Sequence, residues 1–140
     1  SRHAAVRLTQ GLRNRRTRLF GLIIPTLTNP IFARIVYAIE ERAHELGCDT
    51  CYIHTDVTSE AAVIRAVDES VEALGGINLV MNCAGVIGAG RVLGREAPME
   101  LSVFTHTIMI NLVGSFNVAK AAADRMQHNT PSADGERGGI

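Results

Sequence analysis

Cys51-Tyr-Ile-His-Thr-Asp-Val-Thr-Ser-Glu60 is the stretch on which the fold turns. Its first half, Cys51 to Thr55, holds aromatic and β-branched residues suited to a strand. Thr58-Ser-Glu-Ala61 then offers a capping start for a helix that runs to Leu74 and is closed by Gly75-Gly76. A strand that gives way to a capped helix within a few residues is half of a crossover unit, so the neighbouring segments should repeat the alternation.

They do so on both sides. Upstream, Leu19-Phe-Gly-Leu-Ile-Ile24 is an apolar run ended by Pro25, as in a strand buried on both faces. Thr26 to Pro30 reads as a loop. From Ile31 to Leu46 the apolar residues Ile35, Val36, Ile39, Ala43 and Leu46 recur at helical spacing, and Gly47 stops the helix. Downstream, Ile77 to Met81 reads as a third strand followed by the glycine-bearing loop Asn82-Cys-Ala-Gly-Val-Ile-Gly-Ala-Gly90. A long helix from about Met99 to Met126 carries Phe104, Ile108, Leu112, Phe116 and Ala119 on one face. Asn129 to Gly138 is a polar loop, and Gly139-Ile140 begins a fourth strand. Strands alternating with helices require right-handed parallel crossovers. The expected class is therefore α/β: a three-layer Rossmann-like sandwich around a short parallel sheet of about four strands in the order 2-1-3-4.

Composition agrees with one domain over residues 1–140, with 46% apolar residues to form a core. Its parts are a basic arm (1–18), a strand-helix unit (19–47) and a longer segment (48–140). Fourteen basic residues balance 14 acidic ones, so bulk charge favours no polyanionic partner. Arg2, Arg7, Arg13, Arg15, Arg16 and Arg18 nevertheless precede the first acidic residue, Glu40. Such an arm supports at most weak, non-specific, salt-sensitive contact with nucleic acid. No uninterrupted run approaches the roughly 20 apolar residues of a bilayer span, and the Arg-rich start lacks the apolar centre of a secretory signal. A cytoplasmic protein without membrane contact is expected. Cys48, Cys51 and Cys83 are odd in number, and Cys48-Asp-Thr-Cys51 has no second Cys/His pair at zinc spacing, so no metal site is assigned. An uncovered sheet edge would favour pairing between chains, and hence a homo-oligomer.

Two resemblances emerge from the motifs. Leu12 and Arg13, Thr17, Gly21-Leu-Ile-Ile-Pro25, Thr28-Asn-Pro-Ile-Phe-Ala33 and Ile39-Glu40 together resemble the start of the effector-binding core of lac-repressor-family transcription regulators, over about residues 4–47. That resemblance implies a hinge-like segment ahead of the first strand, and a cleft for a sugar or nucleobase lined by Asn29 and Phe32. From about Tyr52 to Ile140 the chain resembles the middle of a short-chain dehydrogenase/reductase, in the branch that acts on 3-hydroxyacyl-CoA thioesters and hydroxysteroids. The anchors are Asp56-Val-Thr58, Asn82-Cys-Ala-Gly85 and Ile110-Asn-Leu-Val-Gly-Ser-Phe116, with Ala133 to Gly138 as a further match.

The second resemblance implies site residues. Asp56 would contact the adenine ring of NAD(H), and Ala84 and Gly85 would lie against the adenosine ribose. Asn82 would tie adjacent strands together, while Asn111 would hold a water of the proton relay. These residue types suit such tasks: a carboxylate accepts from an exocyclic amine, small residues admit a cofactor to the backbone, and an amide can fix a water. Each also has a plain structural alternative, Asp56 as a turn and capping residue and Asn111 as a satisfied polar residue of a packed helix.

Departures from the family pattern are as informative. The expected glycine-rich turn at a helix N-terminus, where free amides hold a pyrophosphate, is replaced by Gly21-Leu-Ile-Ile-Pro-Thr-Leu-Thr-Asn-Pro30. The family's Tyr-x-x-x-Lys pair is absent: Tyr37 and Tyr52 have no lysine four residues on, and the sole lysine is Lys120. The expectation is a truncated or recombined Rossmann-like domain, a chimera joined near residues 48–56. It would require no cofactor, bind NAD(H) only residually, retain Asn111 as a vestige and have no turnover of its own. The alternatives are a fragment of an NAD-dependent short-chain dehydrogenase and a remnant of a sugar- or nucleobase-binding repressor core.

Overall fold

The computed structural model describes residues 19–24 and 30–140. Strand β1 (Leu19–Ile24) runs parallel to β2 (Asp49–His54), in a register that sets Leu19 beside Asp49 and Ile24 beside His54. Between them lies α1 (Pro30–Glu45), with a proline at its first position, where no backbone N–H is needed. Gly47 ends it at φ 69°: its N–H donates to His44 O, and that of Cys48 to Ala43 O. This pair of bonds is a Schellman cap, and its left-handed residue explains the glycine. The basic arm and Asn29 lie outside the described residues.

Helix α2 (Glu60–Leu74) starts on Ser59, whose hydroxyl accepts from Ala62 N at 3.4 Å, and stops at Gly75 with φ 74°. The last long helix runs from Leu101 to Met126 in three parts: α3 (Leu101–Ile108), a π-helical segment (Met109–Gly114) and α4 (Ser115–Met126). The main core lies between α2 and α4. Val63 and Val67 meet Val118, Ala121, Ala122 and Met126, with Ile77 closing one end. Burying such aliphatic side chains contributes roughly 1.5–3 kcal/mol each for the larger ones, so this seam is the main source of cohesion. Exposed ion pairs, Arg125 with Asp68 at 2.6 Å and Lys120 with Glu60, flank it and add little.

Two expectations need correction. The α/β class and the parallel pairing hold, but the four-strand order 2-1-3-4 does not form as one sheet. The described residues give a two-stranded sheet, β1-β2, and a separate parallel bridge between Leu79 and Gly139. In that bridge Val80 N donates to Gly139 O and Gly139 N donates to Asn78 O, both at 3.0 Å. Segment 77–81 thus pairs with the chain end and not with β1, so it never becomes a ladder. Second, Phe104, Leu112 and Phe116 are more than half exposed. The buried face of the long helix carries Gly114, Asn117, Val118, Ala121 and Ala122 instead, because small residues let α2 and Val57 approach closely. The long helix is long and apolar enough on average to cross a membrane by length and composition, while no uninterrupted apolar run in it is. Asn111 and Asn117 interrupt it, and both bind backbone elsewhere in the fold.

Candidate functional site

Three pieces of chain meet at the C-terminal end of β2: the turn Asp56-Val57-Thr58, the loop 82–90 and the π-helical part of the long helix. The turn is held by Asp56, whose Oδ1 accepts from Thr58 N at 2.9 Å and from Thr58 Oγ1 at 2.8 Å. These two bonds hold the Asp56 carboxyl below the usual carboxylate range, with His106 and His54 adding attraction. Oδ2 has no partner among the described residues, so one acceptor oxygen of an exposed carboxylate remains open.

The loop is fixed by Asn111. Val86 N donates to Asn111 Oδ1, and Asn111 Nδ2 donates to Val86 O, each at 2.9 Å. The amide thereby reproduces the two-bond pattern of a strand neighbour and docks the loop on the helix. Its position in a π segment re-aims the side chain relative to an ordinary α-helix, as such bulges do where a side chain has a special task. Asn117 completes the anchoring by donating to Val57 O at 3.0 Å. Gly114 permits it: a Cβ there would stand 2.6 Å from Val57 Cγ2.

Between the turn and the helix is a cleft of about 510 Å³ lined by Asp56, Thr58, Ser102, Thr105, His106, Met109 and Ile110. It offers hydroxyls and an imidazole around the carboxylate, over an apolar floor from Met109 and Ile110. The remaining site residues are distributed unevenly. Ala84 and Gly85 are exposed on the loop that Asn111 holds, and a Cβ on Gly85 would lie 3.6 Å from Asn111 Oδ1. Asn82 is exposed and makes no hydrogen bond among the described residues, because segment 77–81 has no strand neighbour on the β1 side to tie. The tie expected of it is made by Asn129, which donates to Ile77 O and Arg137 O, both at 2.8 Å. Nothing in the sequence pattern distinguished Asn129 from an ordinary loop asparagine. Phe32 lies in the first turn of α1 and lines neither this cleft nor the groove between α2 and α4.

Glycines of the loop serve packing. A Cβ on Gly88 would meet Thr107 Oγ1 at 1.9 Å and Val103 O at 3.2 Å, so this residue is glycine to admit the helix. Asp56 thus keeps an open oxygen and Ala84-Gly85 an exposed backbone, while no residue of the loop 82–90 lines the cleft at Asp56. Gly88 does not provide a pyrophosphate cradle. No group of three or more potential metal ligands occurs among the described residues.

Comparison with known proteins accords with this geometry. A family model described as enoyl-(acyl carrier protein) reductase matches residues 32–133. The 3-hydroxyacyl-CoA dehydrogenase type-2 of Drosophila melanogaster is 37% identical over 102 residues, covering 71% of this chain and 40% of that protein. The Homo sapiens protein of the same name is 33% identical over 103 residues, 72% of this chain and 40% of its own length. The chain therefore spans about two fifths of the length of these curated relatives. An NAD+-bound xylitol dehydrogenase superposes with a TM-score of 0.62 at 30% identity, over 77% of this chain and 38% of that one. A short-chain type dehydrogenase/reductase from Mycobacterium marinum, at 24% identity and TM-score 0.63, shares the fold. On the match over residues 32–133, which takes in the turn at Asp56, the loop at Gly85 and the helix at Asn111, the chain belongs to the short-chain dehydrogenase/reductase family.

Proposed function

We propose that this chain is the adenosine-binding segment of an NAD-dependent short-chain dehydrogenase that acts on 3-hydroxyacyl-CoA or hydroxysteroid substrates, and that residues 1–140 do not turn over alone. The binding role is supported by the open Asp56 carboxylate oxygen and, separately, by the exposed Ala84-Gly85 backbone on the loop that Asn111 clamps. Asp56 would accept from the adenine amine, and Ala84-Gly85 would lie along the ribose. NAD, when bound, supplies hydride chemistry. What these residues contribute is orientation, since Thr58 keeps the Asp56 carboxylate charged and Asn111 keeps the loop in place. Both hydrogen-bonding ends of the Asn111 amide are engaged by Val86, which supports a positioning role for it. Proton transfer needs an acid of matched pKa beside the reacting carbonyl, and neither Tyr37 nor Tyr52 has a lysine four residues on. Burial, with Glu40 beside it, pushes the Tyr52 phenol up to about 12, away from the range useful to such an acid.

As to origin, we infer that any join to a foreign upstream unit lies before residue 32, since the family match already covers residues 32–133.

The test is a titration of the isotope-labelled chain with AMP and NAD+, followed by amide chemical shifts. Asp56, Thr58, Ala84 and Gly85 should move with millimolar affinity, and Asp56→Asn should weaken both ligands by about threefold to tenfold, the loss of one charge-assisted bond. Silence at those amides would sink the binding role. Separately, NADH with acetoacetyl-CoA should show no enzyme-dependent loss of absorbance at 340 nm. Steady turnover would overturn the claim that the segment is inert alone.

A further inference from the structure

Asp134-Gly135 is the one place in the sequence where an aspartate or asparagine precedes a glycine. A glycine amide has no side chain to shield it, so its nitrogen can reach the carboxyl carbon of the residue before it. The surroundings add no shield: Gly135 has φ 90°, a Cβ built on it would meet nothing within 4 Å among the described residues, and Asp134 is exposed.

What restrains the pair is the turn around it. Gly135 N donates to Ser132 O at 3.0 Å, which ties down the nitrogen that would attack. The Ser132 hydroxyl is shared between Asp134 Oδ1 and Glu136 O, the latter at 2.9 Å, and Ser132 N donates to Glu136 O at 2.7 Å. The Ser132 hydroxyl, and after it the Glu136 N–H, hold the Asp134 carboxyl below the usual carboxylate range. That keeps it ionised, whereas loss of its oxygen as water needs the neutral acid.

The same turn sets the chain end against segment 77–81. Directly after it, Arg137 O accepts from Asn129 Nδ2 at 2.8 Å, and the Arg137 guanidinium donates to Asn129 O. Asn129 Nδ2 also donates to Ile77 O at 2.8 Å, and Gly139 exchanges its two bonds with Asn78 and Val80.

We infer that Asp134-Gly135 is a modification site, guarded by Ser132, at which aspartate converts to isoaspartate and so unlatches residues 137–140 from segment 77–81. In the first step Gly135 N bonds to Asp134 Cγ. The hydroxyl of the neutral acid leaves with the amide proton as water, which gives a cyclic imide. Water then opens the imide: cleavage of the bond from nitrogen to Cγ restores aspartate, and cleavage of the bond from nitrogen to the Asp134 backbone carbonyl carbon leaves the chain routed through Cγ. No reactant but water enters. The product carries an extra methylene in the backbone and displaces Gly135 N, so the bond to Ser132 O cannot persist in the same turn.

The experiment ages the full chain in mildly acidic buffer, folded and in urea, and reads isoaspartate at position 134 by electron-transfer fragmentation of the tryptic peptide 126–137. The unfolded chain should accumulate it, and the folded chain at least about tenfold more slowly, because reaction waits on local opening of the turn. Ser132→Ala should speed the folded chain by about threefold to tenfold, the worth of one hydrogen bond, while Ser132→Thr, which keeps the hydroxyl, should match the parent. In the isomerised chain, amide exchange at Val80 and Gly139 should quicken by at least about threefold. Equally aged Asp134→Glu, whose longer side chain does not close the same ring, should show neither product nor faster exchange. Absence of isoaspartate at 134 in urea would overturn the site. Equal rates in the folded and unfolded chain, or an unchanged rate in Ser132→Ala, would overturn the guard, and unaltered exchange at Val80 and Gly139 in the isomerised chain would overturn the latch.

Discussion

Thr55 sits 2% exposed at the end of β2, directly before Asp56, and its hydroxyl has no hydrogen-bond partner among the described residues. A buried donor left without an acceptor costs about 1–3 kcal/mol, more than most surface contacts contribute. Thr55→Val keeps the shape and removes the hydroxyl, so it should raise stability by about 1 kcal/mol in chemical denaturation. A loss of stability would show that the hydroxyl has work in the fold. At this scale the sequence was only partly legible. Asp56 could be singled out because Asp56-Val-Thr58 is an anchor of the family resemblance, and its bonds to Thr58 are local. Asn129 and Asn117 could not, because their partners, Ile77 and Arg137 for one and Val57 for the other, are chosen by tertiary approach. The same applies to Thr55, whose sequence context is that of any strand threonine.

Among the elements, the helices, their ends and the first two strands were readable, and the third strand was not. Pro30, Gly47, Ser59 and Gly75 fix their helix ends by local sterics and capping, which spacing reveals. A strand exists only by virtue of its neighbour, and Ile77 to Met81 has the composition of a strand without the partner on one side. The π segment Met109–Gly114 was likewise invisible, since its cause is the contact of Gly114 with Val57 and the Asn111 clamp. That contact can be tested. Gly114→Ala gains roughly 1 kcal/mol of helix propensity but sets a methyl 2.6 Å from Val57 Cγ2. Overpacking of that kind typically costs 1–3 kcal/mol, so the net effect should be a loss of about 1 kcal/mol. Val57→Ala in the same chain should recover part of it, giving a coupling of at least about 0.5 kcal/mol in a double-mutant cycle. Additive effects would mean that the helix and the turn at Asp56 do not press on each other.

For the whole molecule, cohesion is uneven. The cluster of Val63, Val67, Ile77, Val118, Ala121, Ala122 and Met126 lies between α2 and α4, and among the described side chains it includes none from β2. In α1 only Val36 and Ala43 are buried, while Ile35 and Leu46 stand half exposed. Among the described residues of β1, Gly21 faces the end of α2 at Ser70 and Leu74. Regions with few buried apolar contacts open at lower free energy than the core they border. Native-state hydrogen exchange should therefore find the slowest amides in α2 and α4 and distinctly faster exchange in β1, β2 and α1. Val67→Ala removes two methyl groups from the cluster and should cost about 2 kcal/mol. It should quicken exchange in α2 and α4 together, by roughly 30-fold, and change β1-β2 amides far less, because those already exchange through a smaller opening. Equal acceleration throughout would mean that the molecule unfolds as one cooperative unit. The sheet would then be bound to the helical core more tightly than its contacts provide.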